Sequence, residues 1–428
     1  MEYYKKAGRR LFREYASLDA QAFGVSIEDC LRQTPQQAVR LLLQDKQVVA
    51  GLTLHQGGQW LGGQRLASGL IAGVAVRPDQ RGSGAGRLLM QEMLQELHAA
   101  GTPLSALYAS TSAFYRKLGY ALAGDYSRWE VPSAALPAAS GRRQSAAVGA
   151  TATAGTSGTT TIAGAAGAAG TASSIVQCDP ANPQTRSAVI ACYQEYAARY
   201  NGMLDRPEEF WDRILIPHQQ QVHLYIACSD PNDPCRTCRG YAVLNHTRQN
   251  GRIELRDAAA GDHDAADALL DLLAGHRSVA DHINWPGPAG SPLLLRIPDH
   301  ARIQRTGSER WLLRICNAAA ALEQRGYPPV SIQLQLHVND TVIPANSGEY
   351  LLTLHDGTPE VHTARSSDEP ARHPRPRITT SAEGLAALLA GIPAAQLAAA
   401  GLLQGTSGGL AAAESIFHGG AAAIQDKF

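Results

Sequence analysis

Apolar positions along the first 130 residues change period in a fixed order. Residues 4–37 carry Phe12, Tyr15, Leu18, Phe23, Ile27 and Leu31 at helical spacing, interrupted over 24–30 as by a loop between two helices. Residues 48–54 and 66–76 are short β-branched runs that predict strands, joined by a turn-rich stretch over 56–63. Pro78 and Asp79 mark a turn. From Arg87 onward Leu88, Leu89, Met93, Leu94 and Leu97 recur as one face of a helix. A further strand is expected over 103–109, then a short helix that ends at Gly119 and a strand opened by Tyr120.

The pattern lapses between 132 and 174. Ala, Gly, Ser and Thr dominate there, no charge stands between Arg143 and Asp179, and no large apolar residue recurs. Such a segment buries too little surface to offset its ordering entropy, so a flexible linker or insert is expected. Order resumes at Ile175. Helices over 188–200 and 210–216, strands over 223–228, 240–244 and 252–259, and a helix over 265–273 repeat the opening order of elements. Beyond Arg302 the pattern predicts a helix over 311–325. A half-buried strand over 330–338, partner strands over 341–344 and 349–354, a solvated Arg/His/Pro-rich loop over 363–377 and three alanine-rich helices follow.

Composition narrows the class. With 428 residues the chain has room for two to four domains at roughly 150 residues each. Its 44% hydrophobic content is ample for cores, and a formal net charge of zero gives no nucleic-acid footprint. No run of about 18 apolar residues predicts a membrane span, and the polar N-terminus gives no sign of a secretory signal. Seven cysteines at irregular spacing point to a reducing cytosol rather than a disulfide framework. Cys235 and Cys238, with Cys228 nearby, lack a second ligand pair, so no metal site is expected.

The chemistry concentrates between strand and helix. Arg81-Gly82-Ser83-Gly84-Ala85-Gly86-Arg87 joins three glycines, two arginines and a helix N-terminus, which together suit a pyrophosphate. The loop lacks the Gly-Lys-Ser/Thr ending of a Walker A motif and the glycine spacing of a dinucleotide fingerprint. At the second junction, Asp262, Asp264 and Asp267 would repel a phosphate.

The strand Val74-Ala75-Val76 followed by Arg81-x-x-Gly84-x-Gly86 resembles the acetyl-coenzyme A loop of the GNAT superfamily of N-acetyltransferases, and the Phe-Tyr-x-x-x-Gly-Tyr pattern ending at Tyr120 resembles its second signature. Together with the repeated order, the sterol-carrier-like third unit and the terminal Phe428, the chain resembles the Eis (enhanced intracellular survival) acetyltransferase family. The resemblance implies an α+β fold: two tandem GNAT-like domains followed by a sterol-carrier-protein-like domain. Its expected limits are 1–132 for the catalytic domain, 133–174 for the insert, 175–301 for a second domain without a cofactor loop, and 302–428.

It further implies acetyl transfer from acetyl-CoA to an amine of aminoglycoside, polyamine or lysine type, in a cytoplasmic homohexamer. Val74, Ala75, Val76, Arg81, Gly82, Ser83, Gly84, Ala85, Gly86 and Arg87 would bind the cofactor. Tyr120 would be the general acid, with Tyr115 as packing, and the Phe428 carboxylate the base. A phenol of pKa about 10 keeps its proton at pH 7 and can donate to a departing thiolate, whereas a terminal carboxylate of pKa about 3.3–3.7 is ionised and can accept one. Phe23, Asp29 and Trp60 are candidates for the acceptor pocket. The alternative is a hydrophobic-ligand or lipid-binding protein with a non-catalytic GNAT scaffold.

Overall fold

A computed structural model describes residues 2–137, 161–162, 173–218, 220–247, 251–364, 376–419 and 422–428. Most of the expected linker, and positions 365–375 of the Arg/His/Pro-rich loop, lie outside the described residues. The first unit runs β1 (Glu2–Lys6), α1 (Arg9–Phe23), α2 (Ile27–Gln33), β2 (Val39–Gln44), β3 (Gln47–Leu61), β4 (Gln64–Val76), α3 (Ala85–Ala99), β5 (Leu104–Tyr108), α4 (Ser112–Arg116) and β6 (Ala121–Pro132). The second unit repeats the order with helices Pro183–Ala197, Glu208–Leu215 and His263–Ala274. Among the described residues no helix is long and apolar enough to cross a membrane.

The two units share one sheet. Strand Gln304–Ile315 inserts between β5 and β6, antiparallel to both, and β6 in turn lies beside His282–Pro286. Each unit thus completes its sheet with a strand that packs against the other. This corrects the helix expected over 311–325, of which only Ala318–Gln324 is helical. Trp311, Leu313 and Ile315 enter one core and Leu312 and Cys316 another. A strand covered on both faces is a continuous apolar run, which periodicity does not separate from a buried helix.

Two smaller corrections follow. The stretch 56–61 is strand rather than turn, because β3 pairs with β4 down to Leu61↔Gln64 and also with Leu204–Asp205. Gly57 and Gly58 permit that approach: added Cβ atoms would sit 3.2 Å from the Asp205 carbonyl oxygen and 2.9 Å from that of Leu66. Residues 341–344 form no strand. Asp340 instead accepts from the amides of Val342 and Ile343 at 3.0 and 2.9 Å, closing a turn.

The third unit is a mixed sheet. Ile332–Asn339 pairs antiparallel with Gly348–His355 and parallel with Arg377–Ser381. Helices Ala382–Leu389, Ala394–Ala399 and Ser407–Phe417 share a core with it. From there the chain returns to the first unit, where Ala422–Ile424 pairs parallel with Gly124–Tyr126 of β6.

Candidate active site

A fork opens where β4 leaves β5. The two pair in parallel only from Ser68↔Leu104 to Ile71↔Leu107, and beyond Ile71 the strand continues against β3 alone. Opposite Leu52 the register shifts, so Gly73 and Val74 form a bulge, with Gly73 at φ 57°. The Tyr15 hydroxyl donates to the Gly73 carbonyl at 2.9 Å and lies 3.0 Å from Thr53 Oγ1, which fixes the bulge. The stretch 72–76, which holds the predicted Val74, Ala75 and Val76, therefore presents a backbone edge that β5 does not pair.

The glycine loop follows directly. Gly82 and Gly84 sit at φ 81° and 95°, in the left-handed region that glycine occupies without strain. Gly84 caps the 15-residue α3 with no side chain of its own, and in the first turn the Ala85 amide donates to Ser83 Oγ at 3.3 Å. Added Cβ atoms at Gly82 and Gly84 would meet nothing within 4 Å, while one at Gly86 would lie 3.1 Å from Val76 Cγ2. Arg81, Gly82, Ser83 and Arg87 are exposed, and Ala85 is buried beneath them. The residues fit a diphosphate: exposed backbone, a helix dipole and two exposed arginines stand together at one helix N-terminus. In the second unit the Asp262 side chain accepts from Ala265 N at 2.9 Å and caps the corresponding helix itself.

The two signature tyrosines face different surroundings. Tyr120 is fully buried, and its hydroxyl lies 2.8 Å from Ser105 Oγ. Ser105 pairs with Gly69, two rungs below the last paired rung, Ile71↔Leu107. At about 3.3 Å per rung that is about 7 Å below it. Burial raises the Tyr120 phenol well above its ordinary value. The structure thus does not bring the Tyr120 hydroxyl to the fork. Tyr115, on α4, packs edge-on against Phe114 at 4.9 Å, and Phe114 reaches to 3.7 Å from a Cβ built on Gly86. Burial alone pushes the Tyr115 phenol up to about 12. Its hydroxyl has no hydrogen-bond partner among the described residues, which leaves it available to a ligand.

The chain terminus is held from both units. Arg206, fully buried, donates from Nη1 and Nη2 to Asp257 at 2.6 and 2.8 Å and from Nε to Asp426 Oδ1 at 2.8 Å. Its guanidinium stacks over Tyr193 at 3.7 Å and Trp211 at 4.6 Å. Burial pushes the Asp426 carboxyl upward, and Arg206 only partly offsets this. Asp257 is just as buried, yet the charge and hydrogen bonds of Arg206, helped by Tyr241 and Gln425, hold it below the usual carboxylate range. Tyr108 donates to the Asp426 carbonyl at 2.5 Å, and Lys427 Nζ pairs with Glu309 at 2.6 Å. Phe428 then packs between Tyr108, at 5.2 Å, and Phe210, at 6.1 Å.

Phe428 lines a pocket of ≈ 300 Å³ together with Ala72 and Gly73 of the fork, Phe23, Asp29, His55 and Arg213. The predicted Phe23 and Asp29 therefore line it, whereas Trp60 packs against the core of the second unit. His55, buried, bonds through Nδ1 to Glu209 Oε1 at 2.9 Å, and this hydrogen bond holds Glu209 below its ordinary pKa. Asp19, Tyr15, Thr53, His55 and the Arg206 network escaped the sequence reading; no spacing links residues 206, 257 and 426. Among the described residues no group of His, Cys, Asp and Glu could hold a metal ion, and all seven cysteines are free.

Family models match the chain in three stretches. Residues 3–123 and 202–315 each match an acetyltransferase (GNAT) domain, and residues 318–425 match a sterol carrier protein domain. Among solved structures, a GCN5-related N-acetyltransferase from Anabaena variabilis superposes with a TM-score of 0.84 at 26% identity, covering 100% of both chains. One from Kribbella flavida gives 0.79 at 24%, covering 100% of this chain and 98% of its own. Eis1 from Mycobacterium abscessus gives 0.74 at 17%, again over 100% of both. Among curated proteins, none matches the chain significantly in sequence.

Proposed function

From the premise that this chain is an Eis-like GNAT protein, with two tandem acetyltransferase domains and a sterol carrier protein domain, we propose that it transfers an acetyl group from acetyl-CoA to a primary amine. Bound acetyl-CoA would supply an activated thioester. In this reading the amides and arginines of 81–87 bind its diphosphate, and the unpaired edge of Val74, Ala75 and Val76 guides its thiol arm into the fork. The amine nitrogen bonds to the thioester carbon as the C–S bond breaks. The Phe428 carboxylate takes the proton from nitrogen. Tyr115, rather than Tyr120, gives the thiolate its proton, because its hydroxyl is free and the Tyr120 hydroxyl is engaged by Ser105.

The observation that supports the reading is an open fork that runs on one side toward a glycine loop at a helix N-terminus and on the other lines a pocket with the chain's last residue, Phe428. The test is thiol release from acetyl-CoA in the presence of single amines. Amine-dependent release, impaired by amidation of the C-terminus, is expected. Absence of release with every amine, from folded protein that binds acetyl-CoA, overturns the reading. By the Eis likeness the proposal extends to a cytoplasmic homohexamer, whose mass sedimentation velocity would check.

A further inference from the structure

The charges around the pocket are unequal in a way that selects an acceptor. Arg213 lines the inner pocket, and so do two carboxyl-bearing residues that form no ion pair among the described residues. One is the terminal Phe428. The other is Asp19, whose Oδ2 takes the Cys30 thiol at 3.1 Å while Oδ1 is buried without a hydrogen-bond partner. Asp19 faces the bulge of the fork: a Cβ built on Gly73 would lie 2.7 Å from Oδ1. The Tyr15 hydroxyl stands beside Asp19, and burial raises the Asp19 carboxyl, a shift that a ligand cation in the pocket would oppose.

Further out the situation reverses. The vestibule of ≈ 450 Å³ contains Asp29, which also lines the inner pocket, with Glu209 and Asp212; Asp29 and Asp212 pair with Arg32 and Arg186, and Glu209 shares a hydrogen bond with His55. Arg256 adds positive charge to the same wall, and Arg213 lines both the vestibule and the inner pocket. Second and third ammonium groups of a long polycation would meet spent carboxylates and guanidinium groups there. The rim offers apolar surface instead. Phe23 is 52% exposed, Val25 48% and Ile216 53%, all at the mouth, and the Phe428 ring lies within. At ≈ 300 Å³ the inner pocket is at the small end for a ligand site.

We propose that the acceptor is a small primary amine with one ammonium group on an apolar body, and that Asp19 takes that ammonium and orients it toward the fork. The proposal rests on the acyl-transfer reading above and narrows its acceptor away from aminoglycosides and polyamines. Asp19 acts here as a binding and positioning residue, with Phe428 remaining the base.

The test compares phenethylamine with spermidine and kanamycin as acceptors, by thiol release at saturating acetyl-CoA. Phenethylamine should have the highest kcat/KM. Asp19→Asn should raise its KM about tenfold or more, as loss of a charge-assisted contact does, with a smaller effect on kcat and unchanged acetyl-CoA affinity. Val25→Asp should narrow the preference over spermidine. A preference for the polycations, or an unchanged KM in the Asp19 variant, overturns the proposal and leaves acyl transfer standing. Calorimetry of phenethylamine against both proteins reads the same contact without turnover. Binding to the wild type but not to the variant supports the proposal even if no thiol appears, in which case acyl transfer alone fails; no binding to either overturns it.

Discussion

The α-carbon of Gly124 lies so close to the carbonyl of Ala422 that an added Cβ would be 1.6 Å from its oxygen. β6 is bare at this point, and the tail strand Ala422–Ile424 runs into the gap. The next residues, Gln425 and Asp426, are clamped by Asp257 and Arg206, and two residues later Phe428 lines the pocket. A glycine 304 positions upstream therefore helps set where the terminal carboxylate lies.

Gly124→Val should displace that strand without touching the glycine loop. The expected result is a loss of kcat of roughly 10²-fold, the scale of losing a positioned base, with acetyl-CoA binding retained. Removing residues 422–428 should cost about as much, and combining the two changes should add little, because both remove one unit. Additive losses would mean that Gly124 acts through the sheet instead of the tail.

Substitution of the two signature tyrosines separates chemistry from packing. Tyr115→Phe should lower kcat by about 10² while sparing stability, since its hydroxyl bonds to no described residue. Tyr120→Phe should leave kcat near wild type and cost about 1–3 kcal/mol of stability, because the buried Ser105 hydroxyl loses its partner. Initial rates and denaturant melts on the two variants check both statements; a reversal would return the acid role to Tyr120.

Much of this arrangement was legible in the sequence where it is local. Leu89, Met93, Leu94 and Leu97 face the core of α3 as their spacing predicts, and Gly119 takes the left-handed φ of 82° expected of a helix end. What failed was non-local. Trp311 to Ile315 became strand because β5 and β6 flank it, and no pattern within the segment records its neighbours. Tyr115 and Tyr120 stand five residues apart in one motif, and only the rung on which Ser105 sits separates their roles. Asp19 reads as one polar position on an amphipathic helix until Gly73 is folded against it.

Gly84→Val tests the phosphate cradle. A β-branched residue at φ 95° is strained by about 1–3 kcal/mol, and its side chain would project into the space before α3. Acetyl-CoA affinity, measured by calorimetry, should fall about tenfold or more through lost amide contacts to the anion. Gly101→Val provides the control. Gly101 has φ 71° and equally open surroundings but lies just past the opposite end of α3, so it should lose similar stability and no affinity.

The pH dependence of turnover gives an independent reading of the acid. A general acid must hold its proton, so the rate falls as pH rises through its pKa. An ordinary solvated phenol would lose half its activity near pH ~10. Burial pushes Tyr115 up to about 12, so its protonated form persists well above that point. With saturating amine and acetyl-CoA, kcat should therefore hold a plateau from about pH 8 to about pH 10, before any phenol of ordinary pKa is half ionised. The low residual rate of Tyr115→Phe should be equally flat there. A fall centred near pH ~10 in the wild type, absent from the variant, would mean that Tyr115 is far more solvated than its contacts with Phe114 and Tyr120 allow.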